Sequence, residues 1–400
     1  MKILVINCGS SSLKYQLFDM EGEKVLAKGI CESIATNMSH KKGSTFDGRS
    51  FDEYVDIPDH RVAFNMVKDA LTKGDCKVID SLSEIGAIGH RVVQGGDIFK
   101  ESVLVTDEVL TGIRSLIPLA PLHNPAHVTG IEACRDVFGA NVPQVAVFDN
   151  AFHSTMPETS YMFALPYKYY EEDHVRRYGA HGTSHRFVAY RTAEIVGKDL
   201  KDFKLITCHL GNGCSITAIK DGKVLDTSMG LTPLDGFMMG TRCGAVDPSA
   251  ITYIMQKHNI SAKDMDRIMN KESGVLGISG VHSDDRAVRK AADEGNKRAK
   301  LARDMQWYQI RKCIGSYIAA MDGVDVIAFT GGIGENCPDL RADVLNNLSY
   351  LGIKLDETAN EKRGEEIELT QPGYPVKAFV VPTNEELAIA RDTKNIVEAL

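Results

Sequence analysis

Short β-branched runs bounded by glycine, serine or acidic turns alternate with segments of helical period along almost the whole chain. That alternation is the signature of an α/β protein. Ile3–Ile6, Leu13–Phe18 and Lys24–Gly29 read as successive strands, joined by a Gly-Ser turn and by Met20-Glu21-Gly22-Glu23. Further strands are expected at Ala87–Val93, Gln144–Phe148, Leu205–Cys208, Ile216–Lys220, Val326–Phe329 and Val376–Val381. Helical spacing covers Phe64–Lys73, Pro125–Phe138, Ser184–Val196, Asp284–Met321 and Glu385–Ala399. Within the longest of these, Trp307, Ile310, Ile314, Tyr317 and Met321 recur at steps of three and four, which predicts one buried stripe.

One pattern occurs twice. Ile6-Asn7-Cys8-Gly9-Ser10-Ser11-Ser12-Leu13 leads into a strand, an acidic glycine turn and Lys24-Val25-Leu26. About two hundred residues on, Leu210-Gly211-Asn212-Gly213-Cys214-Ser215-Ile216 leads into a strand, Asp221-Gly222 and Lys223-Val224-Leu225. A strand, a glycine turn and a strand are common singly; the shared sequel suggests two related domains. Opposed glycine turns of this kind suit a phosphate chain. A chain of 400 residues is also long for one core. No Pro-, Gly- or Ser-rich linker marks the joint, which is placed near Asn150.

Charge and composition narrow the partners. Lys plus Arg total 46 against 54 Asp plus Glu, a net charge of −8 with no dense basic block, which argues against nucleic acid. The apolar stretches are strand-length, short of the ~20 residues a membrane span needs, and the N-terminus lacks the pattern of a signal peptide. Nine cysteines, an odd number, suit free thiols in a reducing compartment, so a cytoplasmic setting is expected. No Cys-x-x-Cys or His-Glu-x-x-His motif supports zinc.

The chemistry-bearing residues sit at strand ends. Gly9–Ser12 joins two strands and reads either as a plain turn or as an anion cradle, with Lys14 close behind and Asn7 as an oxygen ligand for Mg²⁺ or its waters. His209-Leu210-Gly211-Asn212-Gly213 and Thr330-Gly331-Gly332-Ile333-Gly334-Glu335-Asn336 each follow an apolar strand and remove side chains where a backbone approaches something closely. Neither fits a P-loop or a Rossmann fingerprint. Arg91 and Arg242 are each hemmed in by small residues, which suits either a structural Arg–Asp pair or bidentate contact with a carboxylate or phosphate. Asp149 ends a strand and His181 lies between small residues; each is open to a capping or core role as well as a catalytic one. Ser283-Asp284-Asp285-Arg286 and Thr383-Asn384-Glu385-Glu386 read as helix starts, the latter offering a carboxylate to Mg²⁺.

Asn7–Lys14, His90-Arg91-Val92-Val93, Tyr178–His185, Gly240-Thr241-Arg242 and Thr383–Leu387, in that order, resemble the acetate kinase (acetokinase) family of the sugar kinase–Hsp70–actin superfamily. The resemblance spans essentially the whole chain. It implies two duplicated ribonuclease H-like domains with a nucleotide cleft between them, residues 1–150 plus 386–400 on the acyl side and 151–385 on the nucleotide side. It implies reversible transfer of phosphoryl from ATP to acetate with Mg²⁺ (Mn²⁺ as the alternative ion), giving acetyl phosphate and ADP, in a homodimer. By motif, Asn7 and Glu385 would hold Mg²⁺, Lys14 would meet the nucleotide phosphates and Arg91 the acetate carboxylate. Asp149 would act as acid/base or orient Arg91, and His181 and Arg242 would stabilise the transition state. His209, Leu210, Gly211, Asn212 and Gly213, with Asp284, Asp285, Arg286, Gly332, Ile333, Gly334, Glu335 and Asn336, would form the adenine nucleotide site. Val93 and Leu122 would wall the acyl methyl.

Three positions depart from the family pattern. Ala180 stands where Phe is usual beside the catalytic His, which opens the pocket to propionate or butyrate. Gln94 replaces a frequent His, and Ala245 a frequent Asp that would position Arg242. A sugar kinase of the same superfamily needs a base facing a neutral hydroxyl, whereas two arginines favour an anionic acceptor. A chaperone-type ATPase would need a peptide-binding domain as well.

Overall fold

The computed structural model describes residues 1–121 and 123–400; the acyl-pocket candidate Leu122 lies outside the described residues. The chain forms two compact units, Met1–Phe152 with Asn384–Leu400, and His153–Thr383. The joints at 152 and 384 each fall two residues from those expected, and Glu385 consequently belongs to the first unit rather than the second. Its helix, Glu385–Glu398, packs on that unit's sheet.

In the first unit the strands are β1 (Lys2–Cys8), β2 (Ser12–Asp19), β3 (Lys24–Glu32), β4 (His40–Thr45), β5 (Ser50–Tyr54), β6 (Ile85–Val92), β7 (Val103–Leu104) and β8 (Gln144–Phe148), in sheet order 5-4-3-2-1-6-8-7. The second unit has β9 (Leu205–Leu210), β10 (Cys214–Lys220), β11 (Lys223–Thr227), β12 (Val326–Thr330), β13 (Ile367–Glu368) and β14 (Lys377–Val380), in order 11-10-9-12-14-13. Both sheets share one centre. An antiparallel meander (β1–β3, β9–β11) is followed across its first strand by two parallel strands (β6 and β8, β12 and β14). The repeated sequence pattern is the first hairpin of each meander, and each unit is ribonuclease H-like.

The central strands are buried on both faces, hence their unbroken apolar runs. Ile3, Leu4, Val5 and Ile6 are at most 1% exposed, covered by the helices His60–Thr72 and Asn124–Phe138 on one side and by Glu385–Glu398 on the other. Close approach explains Gly89 in β6: a Cβ there would lie 2.6 Å from Ile389 Cγ2 and collide with Thr393 Oγ1. Asn384 caps the covering helix by accepting from the Leu387 N–H at 3.1 Å.

Two features depart from the sequence pattern. Asp284–Met321 is not one helix but two, Asp285–Asp293 and Lys297–Met321. Gly295, at φ 92°, breaks the first, and Asn296 caps the second through the N–H groups of Arg298 and Ala299. The expected stripe from Trp307 to Met321 is buried. Strands β4 and β5 carry too many polar residues to be read as strands, because the outer face of that sheet edge faces solvent.

His90 in β6 gives the fold a pH dependence. It is 3% exposed, its Nε2–H donates to Gln144 Oε1 at 2.6 Å, and burial pulls its pKa from 6.5 down to about 4. The folded value lies below the unfolded one, so the unfolded chain binds the extra proton. The contribution is whole above pH 6.5 and is lost as pH falls towards 4, about 3 kcal/mol in all. Melting temperatures at pH 7 and pH 5 should show a smaller acid loss for His90→Gln than for the parent protein.

Candidate active site

In the first unit, parallel pairing of β6 and β8 sets Val92 against Phe148, so Arg91, one residue before Val92, and Asp149, one residue after Phe148, emerge at adjacent strand ends. Arg91 Nη2 donates to Asp149 Oδ2 at 2.6 Å, and Nε donates to both carboxylate oxygens at 3.0 and 3.2 Å. Asp149 is 1% exposed. Glu385 Oε2 lies 4.0 Å from Arg91 Nε. Burial opposes charge on Arg91, but Asp149 and Glu385 outweigh it and hold the guanidinium firmly protonated. The turn after β6 is clamped from below: Asn150 accepts from the Gly95 N–H at 2.7 Å and donates to the Gly96 carbonyl at 2.8 Å.

The β1–β2 hairpin places Asn7 directly opposite Lys14. Both line a cavity of about 590 Å³ with Arg91, Glu385 and Glu386, which runs along the uncovered face of β2–β5. Burial, with Asp149 and Glu386 nearby, pushes the Glu385 carboxyl above its ordinary range despite Arg91. Among the described residues no group of three or more His, Cys, Asp or Glu side chains is placed to hold a metal. An amide oxygen beside a carboxylate that burial disfavours as an anion is a hard-oxygen donor set. It fits an ion that keeps waters and phosphate oxygens as its remaining ligands, as Mg²⁺ does.

In the second unit, His181 caps the helix Gly182–Val196 with a left-handed backbone, φ 59°. Its ring stacks on His209 with centroids 4.2 Å apart, and its Nδ1 lies 2.8 Å from Ser215 Oγ in β10. Arg242 reaches the same place from the 228–247 loop. A Cβ added to Gly213 would lie 3.2 Å from Arg242 Nη1 and 3.5 Å from His181 Nε2. Glycine there leaves both groups room over the hairpin turn. Arg242 Nη1 donates to the Pro233 carbonyl at 3.2 Å, and among the described residues no carboxylate pairs with this guanidinium. Burial acts against its charge. A partly buried cation with neutral partners only is prepared for an anion.

A second cavity, about 690 Å³, is lined by Gly211, Asn212, Asp284, Asp285, Arg286, Gly332, Ile333 and Asn336, and by His282, Ser283, Arg289, Cys337 and Arg363. Asp284 caps the following helix, and its hydrogen bonds with Arg286 hold its carboxyl down to about 2. The other nucleotide candidates stand elsewhere. Leu210 is fully buried in the core and Gly334 is buried. Glu335 Oε1 accepts from the Gly331 N–H and from Thr330 Oγ1, bracing the turn from behind. His209 and Gly213 belong with His181, and Lys14 with the first unit. Arg289 and Arg363 are the charged lining residues the motifs missed, alongside His282 and Cys337. Arg289 had the signal of its four-residue spacing from Asp285, to which its Nε donates at 2.8 Å; Arg363 had none. Arg341, fully buried, holds this wall together by donating to the carbonyls of Gly334, Glu335, Asn360 and Lys362.

Val93 is half-buried beside Arg91 in the chain, and Ala180, next to His181, is 5% exposed.

The acetokinase family model matches residues 2–391. The chain is 54% identical over 401 residues to an acetate kinase of Thermoanaerobacterium thermosaccharolyticum, all of both chains being covered. Its structure matches that of Porphyromonas gingivalis acetate kinase with a TM-score of 0.95 at 46% identity, and that of a propionate kinase from Francisella tularensis with a TM-score of 0.92 at 42% identity. Each comparison covers 99% of both chains. With these sites, the duplicated fold is that of an ATP-dependent phosphotransferase whose acceptor is a carboxyl group. The chain belongs to the acetokinase family.

Proposed function

We propose that the protein transfers the γ-phosphoryl group of ATP to the carboxylate of acetate, reversibly and by direct in-line displacement, giving acetyl phosphate and ADP. The observation that carries this reading is Arg242, a partly buried guanidinium with no carboxylate partner among the described residues, which, like His181, lies against Gly213. A migrating phosphoryl group spreads negative charge over its equatorial oxygens, and fixed cationic and N–H donors stabilise it there. Arg91, aimed by Asp149, takes the acetate carboxylate. Acetate is already ionised at neutral pH, with a carboxyl pKa of about 4, so no base has to deprotonate it. Asp149 therefore acts by orienting Arg91. The nucleotide lies in the cavity of Gly211, Asn212, Asp284–Arg286, Gly332, Ile333 and Asn336, with Lys14 serving the phosphates.

Asn7 and Glu385 would hold Mg²⁺, or Mn²⁺, which supplies charge neutralisation to the phosphate oxygens. Chelation should abolish turnover and either ion restore it. Glu385→Gln should raise the Mg²⁺ concentration needed for half-maximal rate by about tenfold or more, measured at saturating substrates. A cytoplasmic homodimer completes the reading.

Trapping the acyl phosphate with hydroxylamine, with Mg-ATP and acetate, propionate or butyrate in parallel, tests the reaction. Acyl hydroxamate from none of the three acids would refute it. A propionate-preferring enzyme is the second reading, favoured by the small side chain of Ala180 and by the similarity to the Francisella tularensis propionate kinase. A higher kcat/KM for propionate than for acetate would establish it.

A further inference from the structure

His181 must present an N–H to the phosphoryl group, and a neutral imidazole has only one to offer. Ring rotation is already restricted by the helix-capping backbone and by the stack on His209. The remaining freedom is the choice of nitrogen that carries the proton. That choice is made behind the ring, in a polar string buried within the second unit. His181 Nδ1 lies 2.8 Å from Ser215 Oγ, Ser215 Oγ lies 2.7 Å from His185 Nε2, and His185 Nδ1 lies 2.7 Å from Thr207 Oγ1. Ser215, His185 and Thr207 are all 0% exposed.

Ser215 has one hydroxyl proton for two ring nitrogens, so it donates to one and accepts from the other. If it donates to His181 Nδ1, it accepts from His185 Nε2–H, and His185 Nδ1 accepts from Thr207. The proton of His181 then sits on Nε2. The reverse order leaves neutral His181 with a bare Nε2 lone pair, which would repel phosphoryl oxygens. We propose that Ser215, backed by His185 and Thr207, is a positioning residue that fixes the ring proton of His181 on Nε2, the nitrogen on the side of the Gly213 turn. Burial, with His153 and His209 nearby, keeps His185 uncharged, as the string requires. The neighbouring ring is set the other way: Ser184 Oγ donates to Thr383 Oγ1 at 2.8 Å and so accepts from His209 Nδ1–H at 2.7 Å. On the proposed order the two stacked imidazoles carry opposite tautomers.

This inference rests on the assignment of His181 to phosphoryl transfer, and the tests separate the two. In ¹⁵N-histidine spectra of the intact protein with nucleotide bound, His181 should show a protonated Nε2 and a bare Nδ1, and His209 the reverse. A proton on His181 Nδ1 alone would overturn the proposal without any variant. Ser215→Ala should lower kcat ten- to a hundredfold, leave both KM values within about twofold, and mix the His181 tautomers, since a misplaced ring proton is a kcat defect. Ser215→Thr, which keeps the hydroxyl, should recover most of the rate. Full kcat in Ser215→Ala alongside an inactive His181→Ala would refute the string and leave the reaction assignment standing. Full activity in His181→Ala would instead remove the assignment itself.

Discussion

Arg242→Ala is expected to lower kcat on the order of 10³-fold or more, with nucleotide affinity changing far less. The loss corresponds to about 4 kcal/mol of transition-state stabilisation. Its size follows from the setting: the guanidinium is partly buried, its partners are a carbonyl and a thioether, and among the described residues no carboxylate shares it. Whatever charge it stabilises must therefore arrive with the substrates. Arg242→Lys should recover only a small part, because an ammonium cannot span two oxygens in a plane. Single-turnover rates with saturating Mg-ATP and acetate provide the measurement. Turnover within tenfold of the parent would remove Arg242 from the transition state.

The second large effect concerns Arg91 and Asp149, which should behave as one unit. Arg91→Ala takes the guanidinium from a carboxylate that is 1% exposed, so a loss on the order of 10³-fold in kcat/KM for acetate should come with a destabilised first unit. Asp149→Ala should also be damaging, since it frees Arg91 from its aim. If orientation is all that Asp149 provides, the double variant should be no slower than Arg91→Ala alone. A separate proton-transfer role for Asp149 would make the two losses multiply. That result would restore it as a base.

The sequence discloses the hairpins well because glycine and serine punctuate them: Gly9–Ser12 and Gly211–Gly213 fall between apolar runs, and both become turns at the heart of a sheet. It also offers Arg242 and His181 as candidates, each a polar residue among small ones, and Arg91 at the end of an apolar strand. What it withholds is adjacency. Arg91 and Asp149 are far apart in the chain and meet only because β6 and β8 pair in parallel. Ser215 reads as one more residue of a buried strand until His181 and His185 are seen on either side of its hydroxyl. Gly295 could have been read as a break in the long helical segment, but the apolar period resumes beyond it and masks the interruption. Polar strands such as β4 carry no hydrophobic signal at all.

The helix Glu385–Glu398 has a consequence for biosynthesis. It seals the sheet over Gly89, yet the ribosome delivers it only after the whole of His153–Thr383 has been made. Nascent chains must therefore carry an unsealed apolar sheet face while the later unit is already able to fold, reversing the usual vectorial order. Holdase chaperones and proteases would find their target in that interval, on the half of the molecule synthesised first.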